Sequence, residues 1–213
     1  MHSMRRLVLL GLIFAVIAGC SSEAPKEQPT STAPAKPAVK PPEYDTGRVA
    51  LQRLYVTAHQ WAPDAQPFRL ESEYVQGAPS AEGKAGVWRA SFASVARRAA
   101  KPYLWSGVTA EGAPDRGITP GAEDDFNPQN QSTHPFDIAF LKVDTNKALA
   151  VAQEHGGAAI LKKTPDHPIS YVLDWDARKN QLMWHVIYGI SRGDAKLTVD
   201  VDASTGEFVR VEK

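Results

Sequence analysis

The stretch 182–213, LMWHVIYGISRGDAKLTVDVDASTGEFVRVEK, reads as three short strands joined by two tight turns. Leu197, Val199 and Val201 fall on one face of the middle strand, and Lys196, Thr198, Asp200 and Asp202 fall on the other. That alternation marks an antiparallel strand with one side on a core and one side polar. In the second turn Asp202 and Thr205 can hydrogen-bond the turn backbone, and Gly206 supplies a positive φ.

Working back, 168–174 (PISYVLD) reads as a further strand, 158–163 as a helical turn and 136–142 (FDIAFLK) as a strand. Between them Asp144 or Thr145 caps a helix with Leu149, Ala152 and His155 on one side, and Gly156-Gly157 ends it. The first half follows the same order. Val49, Leu51, Leu54, Tyr55, Ala58 and Trp61 recur at helical spacing after Asp45 or Thr46, and Pro63 stops the helix. Strands then follow at 67–74, 87–93 and 101–108, with a loop at 77–86. Residues also correspond between the halves: Ala62–Phe68 with Thr164–Ile169, Val87-Trp88-Arg89 with Met183-Trp184-His185, and Ala100-Lys101 with Ala195-Lys196. A spacing near 100 residues is too long for a solenoid and suits two copies of a small helix-plus-sheet unit. The expected fold class is α+β, with a helix packed on an antiparallel sheet of three to four strands in each of 45–135 and 136–213, the two either standing apart or joined into one larger sheet. Trp88 and Trp184 belong between helix and sheet.

The run 196–207, KLTVDVDASTGE, with Trp184 on the strand before it and the helix at 144–155, resembles the end of a PepSY domain. The likeness covers about 143–213 well and 45–142 poorly. It implies a non-catalytic module of the kind found in propeptides of secreted metallopeptidases and in envelope proteins, which binds or restrains a peptidase or another envelope partner. No peptidase domain follows within the 213 residues, so such a partner would act in trans.

The other end of the chain speaks to location. Arg5 and Arg6 precede an apolar run from Leu7 to Ala18, short for a bilayer span and suited to a signal-peptide core. Ile17-Ala18-Gly19-Cys20 resembles the bacterial lipobox, which implies cleavage between Gly19 and Cys20 and diacylglycerol on the Cys20 thiol. Two or three acyl chains (palmitate among them) hold a protein stably on a membrane. The expected organisation is a signal peptide at 1–19 and a lipidated Cys20 with a Pro/Ala-rich tether over 20–44. Ser21 points to the outer membrane, facing the periplasm, in a Gram-negative cell. With six prolines and no apolar periodicity, 21–44 cannot fold alone and reaches at most about 75 Å. It reads equally well as a spacer or as a tail of unselected length.

The remaining composition narrows the function classes. Twenty-four basic and 24 acidic side chains cancel, which argues against a nucleic-acid partner. One cysteine excludes an intrachain disulfide and a Cys-based zinc cluster. No nucleophile elbow, zincin helix, P-loop or dinucleotide fingerprint occurs, so neither enzyme activity nor a cofactor is expected. The six histidines show no close ligand pair in sequence. Asp200-x-Asp202-x-Ser204 lacks the glycine and glutamate positions of a calcium loop. Two stretches remain as candidates. Arg97, Arg98 and Lys101, beside Tyr103 and Trp105, read as a patch for an anionic partner or as a solvated turn. The 27-residue stretch 109–135 stands where the second half has only a short turn, and Asp124, Asp125, Asn127 and Asn130 within it offer weak oxygen ligands for a metal. The alternative to partner binding is thus a small-molecule or metal site built on 109–135.

Overall fold

The computed structural model describes residues 40–130 and 133–212. The signal peptide, Cys20, the tether up to residue 39 and two residues of the 109–135 stretch lie outside the described residues.

The fold is α+β, built on one large antiparallel sheet with one long helix and several small ones. In the first half these are β1 (Asp45–Thr46), α1 (Gly47–Trp61), β2 (Gln66–Ser72), β3 (Lys84–Ala85), β4 (Val87–Ser94), β5 (Ala99–Ser106), β6 (Gly117–Pro120) and β7 (Asp124–Asp125). In the second half they are α2 (Thr145–Ala152), α3 (Ala158–Lys163), β8 (Ile169–Asp176), β9 (Gln181–Tyr188), β10 (Leu197–Asp202) and β11 (Phe208–Glu212). The sheet order is β11-β10-β9-β8-β2-β4-β5-β6, with β7 also on β5. Each half therefore contributes a run of neighbouring strands. The two runs meet at a thin seam between β2 and β8, where Arg69, Leu70 and Glu71 face Asp174, Leu173 and Val172. Where the next backbone pair would come, the Ser72 hydroxyl accepts from the Tyr171 N–H at 2.9 Å.

Alternation sorts the side chains. Leu70, Trp88, Ala90, Phe92, Tyr103, Trp105, Tyr171, Leu173, Trp184, Val186, Tyr188, Val199 and Val201 share one face. They form a single core with Ala50, Leu51, Leu54 and Ala58 of α1 and Ala148, Leu149 and Ala152 of α2. The two central tryptophans are fully buried, and each satisfies its indole N–H locally. Trp88 donates to the Asp45 carbonyl at 2.9 Å and Trp184 to the Val143 carbonyl at 2.8 Å, in each case two residues before a helix begins. Burying an indole without a partner for its N–H would forfeit part of the gain.

The helix starts are joined. The Asp144 carboxylate accepts from its own helix at Thr145 N–H (2.7 Å). It also accepts from α1, at Arg48 N–H (2.9 Å) and from the Thr46 hydroxyl (2.6 Å). Thr145 Oγ1 accepts from Gly47 N–H at 3.0 Å and donates to the Gly83 carbonyl at 2.5 Å. Gly47 is required by close approach: a Cβ there would stand 2.5 Å from the Trp184 ring.

Two local expectations, the strand at 136–142 and the all-loop 77–86, are corrected. Residues 136–142 form no strand: β2 already has β4 and β8 on its two edges, so the segment has no edge there to join. Instead Phe136 N–H donates to the Pro67 carbonyl at 2.8 Å, and Ile138–Phe140 is a 3₁₀ turn capped by Asp137. The second helix breaks at the expected place: the backbone is non-helical at His155 and Gly156, where Gly156 has φ +113°, and the further helical turn follows as α3. The 77–86 loop contains β3, which pairs with β1. The turn after β10 follows its sequence reading: Asp202 Oδ1 accepts from Ser204 N–H (2.6 Å) and Thr205 N–H (3.1 Å), and Gly206 has φ +84°.

Because one carboxylate caps two helices, Asp144→Ala is expected to lower unfolding stability by about 2 kcal/mol in urea titrations, the upper end of the range for a single cap. Asp137→Ala, which uncaps only an exposed 3₁₀ turn, should cost about 0.5 kcal/mol or less.

Candidate functional site

The face of the sheet opposite α1 and α2 carries the charged residues. In the second half the register lines up His185 of β9, Asp200 of β10 and Arg210 of β11 in one row across three strands. Asp174 lies beside that row on β8, and Glu212 lies two residues beyond Arg210 on β11. His185 is 4% exposed and Asp200 is fully buried. His185 Nδ1 stands 2.5 Å from Asp200 Oδ1, and Nε2 stands 3.0 Å from Asp174 Oδ1. Both ring nitrogens thus face carboxylate oxygens.

Arginines close the network. Arg210 Nε lies 2.8 Å from Asp200 Oδ2, placed for charge attraction but not aligned for a hydrogen bond. Its other nitrogens reach Glu212 at 2.8 Å and Asp176 at 3.6 Å. Arg192 spans Glu212 (3.6 Å) and Asp174 (3.8 Å), and Arg69 crosses the seam to Asp174 at 3.2 Å. Beside Arg69 and Arg192 a cavity of about 170 Å³ opens on the seam, floored by Val172 and Ile187. The exposed outer pairs of this network contribute little each; the buried His185–Asp200 pair is costly to break, because removing either partner strands a charge.

The residues singled out from sequence fall elsewhere. Arg97 and Arg98 occupy the exposed β4–β5 turn. Arg97 lies over the Trp61 ring at 5.4 Å and 3.4 Å from Glu123, which also accepts from the Trp61 indole at 2.7 Å. Those contacts hold the Glu123 carboxyl below its ordinary range, the Trp61 hydrogen bond most of all. Lys101 stands 5.9 Å over the Tyr103 ring. Trp105 is buried in the core with the Arg53 guanidinium 5.4 Å over it, so it does not present a ring alongside Arg97 and Arg98. The 109–135 stretch extends the sheet: β6 and β7 both pair with β5, and Phe126 is buried. Asp124 and Asp125 are successive strand residues and point to opposite sides. Asn127 Oδ1 accepts from Gln129 N–H at 3.0 Å, and the Asn130 carbonyl accepts from the Thr133 hydroxyl at 3.4 Å.

The His185–Asp174–Asp200 cluster escaped the sequence reading because its members are 11 and 15 residues apart from His185 and on separate strands. One signal was present: Asp200 was already on the polar phase of its strand, and His185 takes the same phase on the neighbouring one.

Burial pushes the His185 pKa down, but hydrogen bonds to Asp174 and Asp200, with their charges, outweigh it and hold the ring above its ordinary value of 6.5. Burial pushes Asp174 up, and His185, Arg192 and Arg69 outweigh it and hold that carboxyl below 3.8. The raised histidine contributes stability that is complete below pH 6.5 and is lost as pH rises through its folded value. The lowered Asp174 contributes stability present above pH 3.8 and lost as pH falls through its folded value. The thermal midpoint should therefore fall as pH climbs above 6.5, and His185→Gln should remove that alkaline limb while costing about 3 kcal/mol at neutral pH.

No protein-family model matches the chain, and no curated protein matches it. Among solved structures, the crystal structure of a "putative lipoprotein" from Clostridium difficile 630 has the same fold. It matches with a TM-score of 0.51 at 13% identity, over 80% of this chain and 95% of its own. At that identity the likeness is one of fold.

Proposed function

We propose that the chain is a lipid-anchored cell-envelope protein whose folded part is a non-catalytic, PepSY-like binding module in two copies, and that it binds or regulates an envelope partner, a peptidase among the candidates. The anchor reading rests on Cys20, the chain's single cysteine, at the last position of a lipobox-like sequence. It is supported by the fold shared with a protein described as a lipoprotein. No helix among the described residues is long and apolar enough to cross a membrane. The two-copy reading is supported by the strand order, in which each half lays down a helix and then neighbouring antiparallel strands, and by the matching Trp88 and Trp184 hydrogen bonds.

The observation that carries the binding reading is the face that α1 and α2 leave uncovered. Its seam holds a cavity flanked by Arg69 and Arg192, with the exposed Ile190 at the rim.

Two measurements test this reading. Cys20→Ala should abolish incorporation of labelled palmitate and move the protein from the membrane to the soluble fraction; unchanged membrane association contradicts the anchor. A photocrosslinking residue at Ile190 should capture a discrete partner in cells, and one at the still more exposed Val56 of α1 should not. Identical capture from both sites contradicts the binding face.

A further inference from the structure

We propose that His185, Asp200 and Glu212 form a binding site for a transition-metal dication of the Zn²⁺ type, and that the Arg210 guanidinium stands in the cation's place until the ion arrives. One potential ligand atom from each of the three residues lies within 4.8 Å of the others. One imidazole and two carboxylates form a donor set that zinc accepts with a fourth position left to solvent. Calcium, which takes six to eight oxygens, is poorly served by it.

Three features beyond proximity point to a cation. The first is Asp200 Oδ2, which is buried and accepts no hydrogen bond, held only by the charge of Arg210 at 2.8 Å. A buried carboxylate oxygen paired by charge alone, with no aligned donor, can exchange that cation for a metal. The second is Asp174, 3.0 Å from His185 Nε2. A carboxylate on the far nitrogen fixes the ring so that the near nitrogen, Nδ1, faces the site, the arrangement that supports metal-bound histidines. The third is the charge balance. Asp174, Asp176, Asp200 and Glu212 face Arg192, Arg210 and the His185 ring, while Arg69 is shared between Asp174 and Glu71. A dication that takes the place of the Nδ1 proton adds one net positive charge to this mostly acidic cluster.

Arg210 can leave. Its side chain is 40% exposed on an edge strand, and it already lies 3.6 Å from Asp176, which can retain it once Asp200 and Glu212 turn to the ion. Glu212, on the same edge, opens the site to solvent from that side.

The test uses the untagged full chain, purified in detergent and stripped with chelator, titrated with Zn²⁺, Mn²⁺ and Ca²⁺ by calorimetry and by thermal unfolding. One Zn²⁺ per chain should bind and raise the midpoint by several degrees, with Ca²⁺ giving no comparable rise. Glu212→Gln, on the edge strand and safe for folding, should weaken Zn²⁺ binding at least tenfold. Asp174→Asn should weaken it roughly ten- to a hundredfold, and Arg210→Gln should bind at least as tightly as the parent. No midpoint rise with Zn²⁺ or Mn²⁺, or a rise that Glu212→Gln leaves undiminished, overturns the proposal.

Discussion

A single carboxylate, Asp144, sits between the starts of two helices and accepts hydrogen bonds from both. Helix N-termini carry partial positive charge and unsatisfied N–H groups, so two of them brought together repel each other and leave donors orphaned. An anion shared between them answers both problems. Thr145 extends the arrangement by accepting from Gly47 and donating to Gly83, which ties the loop before β4 to the same point. With the helix starts held there, α1 and α2 both pack on one face of the sheet, and the two buried tryptophans hydrogen-bond just upstream of each start.

That junction compensates for a thin seam. Only three residues of β2 face three of β8, yet the sheet continues across them. Leu70 and Leu173 hold the core side, Arg69 and Asp174 the polar side, and Ser72 replaces a missing backbone bond. With both helices committed to one face, the other face is left to charge. There the fold can gather His185, Asp200, Arg210 and Glu212 from three strands, and the partner and metal proposals both belong to that surface.

Much of the architecture was legible because it depends on local pattern. Alternation at 197–202 and the Asp202–Gly206 turn are properties of a few adjacent residues, and so is the apolar stripe of α1. The errors came where tertiary context decides. Residues 136–142 alternate like a strand, but the neighbouring strand has no free edge to offer. The 109–135 stretch looks like loop chemistry, yet parts of it pair with β5. Trp105 reads as an exposed partner to Arg97 only until the phase of β5 places it in the core. The charged cluster was the least legible feature, since strand register, rather than spacing in the sequence, brings His185 to Asp200 and Arg210.

The most direct test of the shared cap is amide hydrogen exchange at the two helix starts. In the parent protein the Arg48 and Thr145 amides, both bonded to Asp144, should be protected. In Asp144→Ala both should lose protection together, with Thr145 on its own helix and Arg48 nearly a hundred residues away responding alike. If Thr145 alone loses protection and Arg48 keeps it, α1 is capped independently and the account of the junction is wrong.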